Sequence, residues 1–140
     1  MTTGTAPVHT IAPPIWRRGL IATAVAAVAN AVVFRIGNAA GADMTVVMAG
    51  TTASVTLVTV LTTTVLPLVL ASIPTWLLAR RNRRLRTVLA WAGLAVAIAT
   101  IPVPVLFAPQ PATGWTLATM HLIAGLVWLG SMTIGTRRRV

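Results

Sequence analysis

A chain of 140 residues that is 56% hydrophobic and 9% charged cannot cover itself with polar surface, since soluble domains carry about 25% charged residues. Its formal charge of +10 comes from eleven basic residues, all arginine, against one acid, Asp43. Cysteine is missing, which excludes disulfides, thiolate nucleophiles, iron–sulfur clusters and cysteine-based zinc sites.

In chain order, residues 1–16 hold Pro7, Pro13 and Pro14 with no hydrophobic period and read as a mobile cytoplasmic tail. Residues 17–140 then read as an all-α integral membrane bundle of four transmembrane helices, with spans at about 19–37, 53–79, 85–107 and 115–135. Ten of the eleven arginines fall at 17–18, 80–86 and 137–139, and none in the first or third connection. The positive-inside bias then places both termini in the cytoplasm of a plasma membrane, with Asp43 outside. Trp16, Trp76 and Trp115 fall near the expected interfaces. The charge is therefore explained without nucleic acid, and no nucleic-acid-reading motif accompanies it. "WRRGLIATAVAAVANA" also has the form of a twin-arginine export signal ending at Ala29–Ala31. The apolar pattern continues through Val32, Val33 and Phe34, which favours a retained first span.

Small and polar residues at three-and-four spacing mark expected packing seams. They are Thr23, Ala27, Asn30 and Phe34 in the first span and Thr52, Thr56, Thr59 and Thr63 in the second. The third offers Ala90, Gly93, Ala97, Thr100 and Pro104, and the fourth Ala118, His121, Gly125, Trp128 and Met132. At 1.5 Å of rise per residue, Asn30, Thr59, Thr100 and His121 all come out roughly 9–10 Å below the outer surface. Arg35 lies nearer the mouth of that layer, and an intramembrane charge costs ~2.5–3.5 kcal/mol unless paired or hydrated. The expected ligand-binding residues are therefore Arg35, Asn30, Thr59, Thr100 and His121, around an outward-facing polar pocket. The plainer reading has Arg35 snorkelling to head groups and the threonines bonding their own helices. Pro102 and Pro104 in "TIPVPVLFAPQPATG" are expected to interrupt the third span, by a kink or as a lid over the pocket.

Catalysis is poorly provided for. No span contains a carboxylate, no serine pairs with His121 and an acid, and His9 with His121 is too few for a metal. The first span lacks the glutamate of small multidrug exporters, the arginine bias conflicts with dual-orientation fluoride channels, and vitamin K reductase-like proteins need cysteines. "RRGLIATAVAAVANAVVFRIG" and "MHLIAGLVWLG" give the chain a resemblance to small uncharacterised four-span integral membrane proteins of actinobacteria, a group that implies the fold and no activity. The residues favour a pocket that binds or carries a small polar, anionic or quinone-like ligand. The alternative is an accessory or structural subunit of a larger membrane complex, and the third reading an enzyme subunit that borrows a cofactor from its partner. The lipid bilayer is the certain partner on this reading, and four short spans suit a homo-oligomer or larger assembly.

Overall fold

The computed structural model describes residues 14–79 and 82–134. Most of the expected tail, Arg80, Arg81 and Arg137 to Arg139 lie outside the described residues. Helix α1 runs Ile15–Ala39, strand β1 Thr45–Met48, strand β2 Thr51–Ser54 and helix α2 Leu57–Ala79. Helices α3 (Arg83–Thr100), α4 (Pro102–Phe107) and α5 (Pro111–Thr133) follow. Four spans, with α3 and α4 counted as one, are long and apolar enough to cross a membrane. The protein is an all-α four-helix membrane bundle with one small hairpin.

Local chemistry sets each boundary. Gly41 ends α1 at φ +87°, letting the Ala42 amide donate to Gly37 O and the Gly41 amide to Asn38 O, both at 3.0 Å. This pairing satisfies the last helical carbonyls and turns the chain toward β1. The second helix starts later than the sequence suggests, because Thr51–Ser54 forms β2 instead of helix. There β-branched Thr51 and Thr52 oppose Met48 and Val47 in an antiparallel ladder that satisfies their backbone. The Thr56 hydroxyl then accepts from the Thr59 amide at 3.2 Å and caps α2. Asn82 Oδ1 caps α3 in the same way, accepting from the amides of Arg84 (2.9 Å) and Leu85 (3.2 Å). Pro102 and Pro104 cannot donate backbone hydrogen bonds, so regular helix breaks at Ile101 and resumes as α4.

The β1–β2 loop is Ala49–Gly50, with φ of +50° and +77°, the geometry of a tight hairpin turn. An alanine in this left-handed region costs roughly 1–2 kcal/mol. Ala49→Gly relieves that strain and loses part of the gain to unfolded-chain entropy. A rise in thermal stability of up to about 1 kcal/mol is expected on those grounds, read as the melting midpoint in detergent. A lower midpoint would mean the turn is not strained.

Packing arranges the spans as an open arc. α1 packs along α2 and α5, α5 along α1 and α3, while α2 and α3 touch only sparingly. Val28, Ile36, Val58, Leu106 and Leu126 point outward, as lipid-facing side chains do. Near the hairpin, Phe34, Met44, Val60, Leu117 and Met120 form one apolar cluster; near the arginine end, Ala90, Trp128 and Met132 form another. α3 and α5 approach closely because Gly93 faces the Trp128 indole and Gly125 faces Leu94 and Ala97. Small residues permit such contact where lipid supplies no hydrophobic drive between helices.

Candidate functional site

Since α2 leans on α1 and α3 leans on α5, the space between α2 and α3 is not closed by their own contact. It forms a cavity of about 700 Å³, within the ~300–1,000 Å³ range of small-molecule sites. Pro67, Ala71 and Pro74 of α2, Val96 of α3, and Ala124 and Trp128 of α5 give it apolar walls. Val46 and Met48 of the hairpin, with Val103 and Phe107 of α4, bound the end nearer the loops. Several rim side chains, including Thr63, Pro67 and Val96, are exposed, so the opening lies sideways between α2 and α3, toward lipid. Each of the two prolines in α2 also frees the carbonyl four residues before it from its helical donor.

The polar groups at this wall divide by whether their hydrogen bonds are already used. Thr63 Oγ1 donates to Thr59 O (2.8 Å), Thr75 Oγ1 to Ala71 O (2.7 Å) and Thr100 Oγ1 to Ala97 O (2.8 Å). Thr59 Oγ1 pairs with Thr56 Oγ1 at 3.0 Å. These hydroxyls are satisfied on α2 and α3 themselves. Asn30, Thr64 and His121 differ. Asn30, 2% exposed, donates from Nδ2 to Thr64 Oγ1 at 2.9 Å across the α1–α2 contact. Its Oδ1 is buried with no partner. Whichever way the amide is turned, one end meets Thr64 and the other stays unpaired. His121 Nδ1 lies 2.9 Å from Leu117 O; a carbonyl only accepts, so Nδ1 carries the proton. In the neutral ring Nε2 is then an acceptor.

The cavity takes in Asn30, Thr59, Thr100 and His121, but not as the single layer expected from helical rise, because α2 starts at Leu57 and Thr59 lies in its first turn. Arg35 is elsewhere: it is exposed on α1 and does not line the cavity. The inward seam of α2 is also displaced from the expected one. Thr56, Thr59 and Thr63 are exposed, Thr52 belongs to β2, and the buried face runs through Val60, Thr64, Thr75 and Ala79. Thr64 was missed because the run Thr62–Thr64 puts a hydroxyl on three successive faces. Only the buried amide of Asn30 selects among them.

Two clamps hold α5, on which His121 rides. At the hairpin end, Thr113, fully buried, donates from Oγ1 to Asp43 Oδ1 at 2.6 Å and accepts from the Met44 amide at 3.1 Å. Gln110 Oε1 accepts from the Asp43 amide at 2.7 Å, and its Nε2 donates to Gly41 O at 3.1 Å. At the other end, buried Arg18 donates to Ser131 O and Ile134 O. A carboxylate at the helix start and a guanidinium at its end both complement the α5 dipole. In the sequence Arg18 shows only as a topological charge, with nothing to mark it as a clamp.

The Thr113 hydroxyl, and then the Thr45 amide, hold the Asp43 carboxyl below its ordinary value of 3.8. A depressed carboxyl stabilises the fold fully above its unfolded pKa, and that contribution disappears as pH falls through the lower folded value. The melting midpoint is thus expected to lose the Asp43 contribution only below pH 3.8. Thr113→Val removes the main cause, so the folded value rises toward 3.8 and the acid-induced loss becomes smaller. The variant also leaves the buried Met44 amide unpaired, at a cost of about 1–3 kcal/mol at neutral pH. Identical pH–midpoint curves for the two proteins would refute the clamp.

No curated protein and no solved structure matches this chain. The sequence does match one family over residues 10–138, and the chain belongs to it: the family of unknown function DUF6069.

Proposed function

We propose that this membrane protein is a binding module or carrier for a lipophilic molecule with one polar, hydroxyl-bearing end. The molecule enters sideways from the bilayer between α2 and α3. The observation that carries this reading is a largely apolar cavity of about 700 Å³ bordered by the Asn30–Thr64 pair and His121. Walls of Pro, Ala, Val and Trp suit a hydrocarbon or ring body, and the lateral opening suits a molecule that partitions into lipid. A small polar or anionic ligand is favoured less, since Arg35 lies outside the cavity. A hydroxyl both donates and accepts, so it can serve His121 Nε2 as acceptor and the Thr64 hydroxyl as donor. A quinol-like ring or a long-chain alcohol has this form.

Positive-inside placement of the arginines supports a plasma-membrane protein with cytoplasmic termini, the arginine end inward and the hairpin outward. The lysine-free, arginine-only basic composition suits an actinobacterial source.

The test is native mass spectrometry of protein extracted gently with its own lipids. A discrete adduct is expected on the wild type and lost in Ala124→Phe, which places a ring in the cavity from its α5 wall. Bulk lipid alone on the wild type would contradict the proposal and favour the accessory-subunit reading.

A further inference from the structure

We infer that the arginine end of the bundle holds a second, separate site, for a phosphate or phosphodiester group, built from Arg18, Arg83 and Arg86.

Arg83 and Arg86 lie one turn apart at the start of α3, and the charges of both Arg18 and Arg83 act on Arg86. Arg18 is 5% exposed and is held in place by the α5 carbonyls it donates to, so one wall of the cluster is rigid. Arg86 is half-buried, and its Nε has no hydrogen-bond partner. A buried guanidinium N–H without an acceptor is costly, more so beside two like charges. The first turn of a helix is also where cations are disfavoured, and α3 has no acidic residue there. The single acidic side chain, Asp43, is at the hairpin end. An anion from outside resolves all three conflicts. Two phosphate oxygens match the fork of one guanidinium, so Arg86 gains the missing acceptor by turning its covered Nε toward the group, while the rigid Arg18 and the exposed Arg83 supply further charge. The site lies at the end of the membrane span, the level of lipid phosphates, so the group can come from an anionic phospholipid or from free phosphate.

The experiment uses the full chain in nanodiscs of phosphatidylcholine containing a minor fraction of phosphatidylglycerol, with retained lipid counted by native mass spectrometry. Phosphatidylglycerol is expected to be enriched on the wild type and reduced by about tenfold or more in Arg86→Gln, as for loss of a charge-assisted hydrogen bond. Arg84→Gln removes one charge from the same end without touching the cluster, and diffuse attraction of one arginine is worth about fivefold at most. Arg83→Gln provides a second cluster variant, should Arg86→Gln fold poorly. Enrichment that persists in millimolar inorganic phosphate assigns the site to lipid. Displacement of the lipid by inorganic phosphate, lost in the same variants, assigns it to the free anion. Equal losses in Arg84→Gln and Arg86→Gln, or no enrichment and no phosphate effect, would overturn the site.

Discussion

Gly125→Leu is expected to cause the largest loss of stability of any single change considered for this bundle. A Cβ at position 125 falls 2.6 Å from Ala97 Cβ and 3.0 Å from Leu94 Cδ1, so the helices must part before any longer side chain fits. Overpacking a close contact costs roughly 1–3 kcal/mol, occasionally more, and leucine adds further carbons in the same gap. The variant should melt far below the wild type in detergent or fail to elute as a single species. Gly125→Ala should lie between the two. Gly130→Ala is the matched control: its Cβ has nothing nearer than Ile134 Cδ1 at 3.7 Å, so the midpoint should hold or rise slightly. Similar midpoints for Gly125→Leu and Gly130→Ala would mean that α3 and α5 do not meet at this seam.

The second large effect separates a ligand site from structural glue. Replacing both partners of the buried pair, as Asn30→Leu with Thr64→Val, removes a hydrogen bond of 2.9 Å and one orphaned carbonyl oxygen together. An interhelical hydrogen bond inside a membrane is worth only about 0.6 kcal/mol on average, whereas an unpaired buried polar group costs about 1–3 kcal/mol. The double variant should therefore equal or exceed the wild type in melting midpoint, while retention of the co-extracted molecule falls. A gain in stability with a loss of binding is the behaviour of groups kept for function. A lower midpoint with unchanged retention would assign the pair to packing. Asn30→Leu alone should be worse than the double variant, because it strands the Thr64 hydroxyl.

The spans were legible because a bilayer leaves few choices. Runs of about 20 apolar residues bounded by arginine specify membrane helices almost independently of their neighbours. The fourth-span seam was readable from its three-and-four spacing, and Ala118, Gly125, Trp128 and Met132 are all buried. In α2 the signal failed, since threonine occurs on every face and a threonine that bonds its own helix looks like one that faces a partner. The hairpin was hidden by the same ambiguity, as Thr51–Ser54 continues the apolar and hydroxyl pattern of α2 without a proline or glycine between. Asn30, Thr59, Thr100 and His121 line one cavity, but the common depth read from helical rise took the second span to start at 53, whereas α2 starts at Leu57 and Thr59 lies in its first turn. Depth along a helix says nothing about azimuth, and azimuth takes Arg35 away from that wall. The clamps by Arg18 and by Thr113 with Asp43 join residues more than 60 positions apart, a relation that no local pattern encodes.

Occupancy of the space between α2 and α3 by a lipophilic alcohol, as proposed, is read out by photo-crosslinking. Membranes containing the protein would be irradiated with a long-chain alcohol carrying a diazirine, and the labelled residues mapped by peptide sequencing. Labels are expected to concentrate on cavity residues such as Pro67, Val96 and Ala124 and to be suppressed by Ala124→Phe and by excess unlabelled alcohol. Labels spread over outward residues such as Val28, Val58 and Leu126, unchanged by either treatment, would contradict that occupancy.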